Sequence, residues 1–312
     1  MFELFYHPIY TDGIDERSRF PKERYKLTKK ILDKSKSNIR FIKPIMAAIE
    51  DIYIAHERKY VDAFIAGRLS NKEKREIGLQ PWNDQIVNRT RYIMGGSLGA
   101  LKSAINSNGI AGNMAGGTHH AYHSKGSGYC IFNDLAICAR VAKRDYKTVN
   151  NVLIIDLDVH QGDGTASIFS NDDSVFTFSM HCESNFPLKK MVSDLDIPLK
   201  KGMRDEEYLN ILNVNLDRLS QIPSDIIFFQ AGVDVLDSDG LGYLSISKSG
   251  LIKRNKMVLD FAKRQNLPLV IFMGGGYSKP IEHTVDAFVD LFKQCSLSVS
   301  YTHLRAHETV VH

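Results

Sequence analysis

The amino-acid sequence predicts a single α/β domain built on a doubly wound, mainly parallel sheet with helices on both faces. Three observations point there. Short apolar runs rich in β-branched and aromatic residues recur through the chain, helical patterns separate them, and polar, glycine-rich clusters follow the runs. The runs are Val152–Asp156, Val175–Ser179, Asp225–Gln230 and Pro268–Met273. Their apolar character is continuous rather than alternating, as a strand buried on both faces requires.

The intervening helices carry start signals. Asn133 or Asp134 can cap a helix with Leu135, Cys138, Val141 and Ala142 on its apolar positions, and another runs from about Asp205 to Leu219. Ser247 or Ser249 can cap a third that carries Leu251, Val258 and Phe261. Pro280 suits the first turn of a fourth, with Val285, Phe288 and Phe292 on one face. Ligands of such sheets bind beyond the carboxyl ends of the strands. The clusters Asp156–Gly164, Met180-His181, Ala231–Asp234 and Gly274–Tyr277 follow the runs, and an earlier segment, Gly109–His120, ends in the same way. Clusters at equivalent strand ends should converge on one pocket.

Composition narrows the class. At 312 residues and 43% hydrophobic the chain can bury a large core, and it shows no internal repeat or low-complexity linker. The formal charge of +4 comes largely from Lys22 to Lys43, which reads as a solvated helix face rather than a nucleic-acid patch. The cysteines Cys130, Cys138, Cys182 and Cys295 lack C-x-x-C spacing, and no secretory signal opens the chain. A reduced, cytoplasmic setting is therefore expected. No apolar run approaches the about 20 residues of a membrane span.

The chemistry is carried by the clusters. Asp158 and His160 are two apart, so on an extended segment they point to the same side. With Asp234 from another strand end they supply oxygen and nitrogen ligands and leave a position open, which describes a catalytic metal site. Taken singly, an aspartate at a strand end is more often a helix cap, and a lone histidine a satisfied core residue; the combination argues otherwise. His119-His120 follows a Gly-Gly turn and can supply a proton acceptor and donor, with Asp156 and Asp163 available to hold the imidazole tautomers. A bound metal brings the pKa of water to about 7. Tyr277, on the glycine turn Gly274–Gly276, can donate a hydrogen bond to an oxyanion.

With these residues laid out, the chain from Tyr6 to about residue 295 resembles the histone deacetylase superfamily. The motifs are Gly116–Ala121, Gly128–Asp134, Asp156-x-Asp-x-His160 with Gly162–Gly164, Gly232–Asp234, Asp239–Gly242 and Gly274–Tyr277. His56 and Tyr60 match weaker, structural positions. The resemblance implies an arginase/deacetylase fold and a zinc ion, sometimes iron, on Asp158, His160 and Asp234. It makes His120, paired with Asp163, the principal general base and acid, with His119 and Asp156 tuning the charge beside it. Tyr277 becomes the carbonyl-polarising residue. Gly128 holds the substrate amide, and Tyr129 and Phe186 line the channel. A structural potassium falls on Asp156, Asp158, His160, Ser179 and Met180, and Arg24 matches an arginine near an internal acetate channel. Gln161 stands where the common classes carry a second histidine, a pattern that resembles class IV.

The expected reaction is hydrolysis of N-acyl-lysine in a protein or peptide, or of a small acylated amine. An acetylpolyamine deacetylase and an arginase-like ureohydrolase are alternatives. The second is suggested by Asp234-Val-Leu-Asp237, since a two-manganese site needs further carboxylates. A scaffold without turnover should have lost a ligand, the histidine pair or the tyrosine. The catalytic domain is expected over 1–296. The tail 297–312, including Ser300–Thr309, resembles a translated sequencing adapter and is expected to lie outside it.

Overall fold

The computed structural model describes residues 1–16, 18, 20–80 and 82–308, with 300–308 as backbone alone. The strands are β1 (Phe2–Phe5), β2 (Ile39–Ile42), β3 (Ile110–Asn113), β4 (Val152–Asp156), β5 (Val175–Cys182), β6 (Leu195–Leu199), β7 (Ile226–Gln230) and β8 (Leu269–Phe272). They form one eight-stranded sheet in the order β2-β1-β3-β8-β7-β4-β5-β6. Every pairing is parallel. Every residue of β4, β7 and β8 is buried, which accounts for their unbroken apolar sequences.

The four sequence-predicted strands are present, β4 with the expected ends and β5, β7 and β8 with shifted ones. β5 runs on to Cys182 because its second half pairs with β6, from Phe178 opposite Leu195 to Cys182 opposite Leu199. Met180-His181, expected just beyond a strand end, therefore lies within the strand. β6 escaped the sequence reading because Asp196 and Pro198 interrupt it; a proline is tolerated there because the strand is at the sheet edge.

Helices Asp134–Asp145, Asp205–Leu219 and Lys248–Gln265 match the expected patterns. The capping choices resolve as Asn133, whose side chain accepts from Ala136 N–H, and Ser247, which accepts from Gly250 N–H. The helix after Pro280 begins at Ile281 and its backbone continues to Glu308. Of the tail set apart in the sequence, 309–312 lie outside the described residues. The helix Asp84–Ser107 packs against β1, β3 and β8 and against Asp134–Asp145. A second layer joins Lys248–Gln265 to Asp205–Leu219 and to the final helix, which also meets Glu23–Asp33. No helix among the described residues is long and apolar enough to cross a membrane. All four cysteines are buried as free thiols.

Candidate active site and metal centre

The strand order explains why the clusters meet. β3, β8, β7 and β4 are consecutive neighbours and run in the same direction, so their carboxyl ends form one row. His119-His120 follows β3, Gly274–Tyr277 follows β8, Asp234 follows β7, and Asp158 and His160 follow β4.

Asp158, His160 and Asp234 are buried with one ligand atom each within 4.8 Å of the others, the only His/Cys/Asp/Glu group of this kind among the described residues. His160 Nδ1 lies 3.0 Å from Asp158 Oδ1 and 3.2 Å from Asp234 Oδ2. The other carboxylate oxygens are already engaged. Asp158 Oδ2 accepts from Gly275 N–H and Gln230 Nε2, both at 2.8 Å, and Asp234 Oδ1 accepts from Val159 N–H at 2.9 Å. Asp234 Oδ2 is buried and accepts no hydrogen bond. A buried carboxylate oxygen without a donor is costly unless a cation completes it. The O, N, O donor set with that orphaned oxygen therefore fits a divalent metal.

The electrostatics agree. Burial and the neighbouring Asp158 charge push Asp234 up to about 7. Burial disfavours charge on His160, but Asp158 and Asp234 outweigh it and raise the imidazole to about 10. The trio attracts positive charge.

The two histidines differ. His119 Nδ1 lies 2.6 Å from Asp156 Oδ2, and its Nε2 is 3.8 Å from Asp158 Oδ1. Burial opposes its protonation, yet Asp156 and Asp158 hold its pKa at about 9. His120 Nδ1 lies 2.6 Å from Asp163 Oδ1, whose other oxygen accepts from the Tyr122 hydroxyl at 2.7 Å. Burial and the His119 charge press His120 down to about 4, against Asp163. Burial alone would raise Asp163, but the His120 bond holds it below the usual carboxylate value. These opposite shifts favour charge on His119 over charge on His120. His120 is a neutral ring that donates through Nδ1 and keeps a lone pair on Nε2.

Tyr277 stands beside the ligands, its ring 6.5 Å from that of His160 and 6.0 Å from that of Tyr129. Burial keeps its phenol protonated. Phe186 meets the His120 ring edge-on at 4.9 Å and remains partly exposed. Gly128 has φ +50°, and a Cβ there would lie 2.7 Å from His120 Cδ2, so a side chain is excluded. Tyr129 packs against Phe20 at 5.4 Å. A cavity of about 50 Å³ is bounded by these groups and by the buried Arg24, which donates to Gly276 O at 3.2 Å. A far larger cavity, about 870 Å³, lies away from these groups, lined by Met1, Phe5, Gly109 and Ile110 near the amino ends of β1 and β3. Ser179, expected at the potassium position, lies across the ladder from Asp156, and Met180 follows it. Asp237, which prompted the two-metal alternative, is exposed and outside the ligand group.

Several supporting residues were given no task at the site by the sequence reading, although Asp134 and Asp239 stand in its family motifs. Gln230 bridges Asp158 Oδ2 and Gly117 O, with its amide nitrogen 3.3 Å from His119 Nδ1. Asp134, read only as a cap, accepts from Gly117 N–H, Thr118 N–H, Thr118 Oγ1 and Ser97 Oγ, fixing the turn before the histidines. Asp239 accepts from Tyr277 N–H at 2.6 Å and from Leu241 and Gly242 N–H. The advance signals were membership of a motif, for Asp134 and Asp239, and a polar residue ending an apolar run, for Gln230.

Comparison with known proteins agrees with this geometry. The profile of the histone deacetylase domain matches residues 18–291. The chain is 43% identical over 287 residues to an uncharacterized protein of Picosynechococcus sp., covering 91% of this chain and 95% of the relative. It is 29% identical to Histone deacetylase 2 of Arabidopsis thaliana, over 81% of this chain and 67% of that one. It is equally 29% identical to the acetoin utilization protein AcuC of Staphylococcus aureus, over 86% and 76%. The domain match spans every strand end that contributes to the site, and the chain belongs to the histone deacetylase superfamily, a family of hydrolases.

Proposed function

We propose that the protein is a zinc-dependent amidohydrolase that removes acyl groups from lysine side chains. The observation that carries this reading is the pairing of His119 and His120 with separate carboxylates, directly beside the Asp158/His160/Asp234 trio. Zinc held by those three residues supplies Lewis acidity, polarising the acyl carbonyl and bringing the pKa of water to about 7. Iron(II) suits the same donors. His120, neutral with Nε2 free, takes the proton of the attacking water and returns it to the departing amine nitrogen. His119 stays charged beside it, and its positive field keeps His120 unprotonated before the reaction. The Tyr277 hydroxyl donates to the carbonyl oxygen as negative charge builds there. Phe186 and Tyr129 enclose the lysine methylenes, and Gly128 presents its backbone to the substrate amide.

A structural potassium would be held by Asp156, Asp158, His160, Ser179 and Met180, where it would stiffen the β4 and β5 ends. Gln161 supports the class IV assignment, and the free thiols suit a reducing, cytoplasmic setting. One candidate ligand trio among the described residues, beside a histidine pair, favours acyl-amine hydrolysis over ureohydrolysis. The test compares turnover of acetyl-, octanoyl- and myristoyl-lysine forms of one peptide, and of acetylputrescine, by zinc-loaded protein. Turnover of at least one acyl-lysine form, abolished by chelation and restored by zinc, supports the proposal. Release of urea from guanidino substrates without acyl-lysine hydrolysis refutes it.

A further inference from the structure

Gln161 directly follows the ligand His160 and is almost fully buried, yet the chemistry above makes no use of it. Its carboxamide behaves as a peptide group. Oε1 accepts from Met191 N–H at 2.9 Å, and Nε2 donates to Met191 O at 2.8 Å and to Asp196 Oδ1 at 2.9 Å. Met191 lies on the loop between β5 and β6, and so does Phe186. Asp196 in turn accepts from Ser193 N–H at 2.8 Å. At the other end of the loop, Lys190 Nζ donates to the carbonyls of Glu183, Asn185 and Pro187 at 3.0, 2.7 and 2.6 Å.

The loop has little apolar anchorage beyond the buried Pro187. Leu188 is 96% and Val192 81% exposed, so little hydrophobic burial holds this part of the chain. Its conformation therefore depends on polar clamps. The residue it places most consequentially is Phe186, whose ring meets His120 at 4.9 Å.

We infer that Gln161 is a positioning residue that ties the channel-wall loop 183–194 to the metal-bearing strand end and so fixes Phe186 over His120. Only a carboxamide of this length offers one acceptor and two donors in a plane. A histidine at this position would have to give up at least one of the three bonds. A glutamate would set its charge against Met191 O and the Asp196 carboxylate. The clamp acts on substrate binding: Phe186 contacts the lysine stem in ground and transition states alike, so loosening it raises KM and leaves kcat nearly constant. The kinetic part of this inference rests on the acyl-lysine reading; the clamp itself does not.

The experiment compares wild type, Gln161→Met, Phe186→Ala and the double variant, each checked for metal content. It uses hydrogen exchange over 186–194 and steady-state kinetics on an acetyl-lysine peptide. Gln161→Met should speed exchange of the Met191 segment about tenfold. KM should rise about five- to tenfold with kcat within about twofold of wild type. In the Phe186→Ala background, Gln161→Met should add little to KM, because both act through one contact. Unchanged exchange, or KM effects that multiply, would overturn the inference. If Gln161→Met loses metal or folds poorly, Asp196→Ala removes the carboxylate that accepts from Gln161 Nε2 and must shift exchange and KM in the same direction; if it does not, the inference fails. Faster exchange in a protein whose wild type does not turn over acyl-lysine refutes the substrate reading and leaves the clamp standing.

Discussion

Adding one methyl group at Gly275 should dismantle the metal centre without unfolding the protein. Gly275 is held from both sides: its N–H donates to Asp158 Oδ2 at 2.8 Å, and its carbonyl accepts from Val233 N–H at 2.8 Å. A Cβ built on it would collide with Asp234 Oδ2, the orphaned ligand oxygen, and would lie 2.8 Å from Asp158 Oδ2. Ordinary contacts begin near 3.4 Å, so the second carboxylate alone must yield by about 0.6 Å, and the first by more. Metal–ligand distances tolerate only about 0.2 Å. The strain of such overpacking is about 1–3 kcal/mol, which a domain with this core survives. Gly275→Ala should therefore keep its fold, lower the tightly bound metal well below one ion per chain, and lose roughly 10²-fold or more in turnover. Elemental analysis after dialysis, circular dichroism and turnover are measured together, with Asp234→Ala as the reference for an absent ligand. A folded Gly275→Ala protein with full metal and wild-type turnover would refute the assignment of Asp234 Oδ2 as a ligand.

Three other outcomes follow from the same geometry. His120→Ala should lose more turnover than His119→Ala, about 10²–10⁴-fold, with metal retained in both; near-normal activity in His120→Ala contradicts its role as base. Tyr277→Phe should lose roughly 10²–10³-fold in kcat with a far smaller change in KM, and wild-type kcat in a metal-loaded variant removes the oxyanion donor. His56 is buried, donates through Nδ1 to Tyr122 O and accepts from Asn133 N–H through Nε2. Burial, against the backbone carbonyls, lowers its pKa to about 4. The unfolded chain takes up this proton near pH 6.5, so the stabilisation is complete above that pH and is lost as pH falls toward 4. It amounts to about 3 kcal/mol. Urea titrations at pH 7 and pH 5 should show a smaller pH-dependent loss in His56→Gln than in wild type; equal losses would remove His56 from the acid response.

How much of this was legible in advance depends on where each residue's partners lie in sequence. β4, β7 and β8 could be read because burial on both faces demands uninterrupted apolar residues, a constraint written locally. β2 and β6 sit at the sheet edges, where half-exposed Ile39 and Ile42 or an interrupting Pro198 are permitted, so their sequences carry no comparable mark. The long helix Asp84–Ser107 contains Gly95-Gly96, residues of poor helix propensity that survive because Gly95 lies against the backbone of Ile45 and Ala47 and Gly96 against Tyr10 and Asn113 of β3, leaving no room for a side chain. The ligands and histidines were visible as short motifs after strands.

Gln230 and Arg254 were not visible as site residues because their partners come from strand ends far apart in sequence. Gln230 reaches Asp158 and Gly117 only because β7 lies between β4 and β8. Arg254 belongs to a helix whose sequence shows only an ordinary basic residue, yet its guanidinium is completely buried. It donates to Leu157 O at 3.1 Å, Gly232 O at 2.6 Å and Ala231 O at 3.2 Å, joining the ends of β4 and β7. These are the two segments that carry Asp158, His160 and Asp234. The same cation lies in the field of Asp158 and Asp234, which favour its charge, while burial opposes it. A fixed positive charge beneath the carboxylates lowers the cost of burying them, and its bonds to carbonyls hold the two strand ends in register. The metal trio thus has a scaffold made by strand order and one buried arginine, which no spacing rule within either motif could have disclosed.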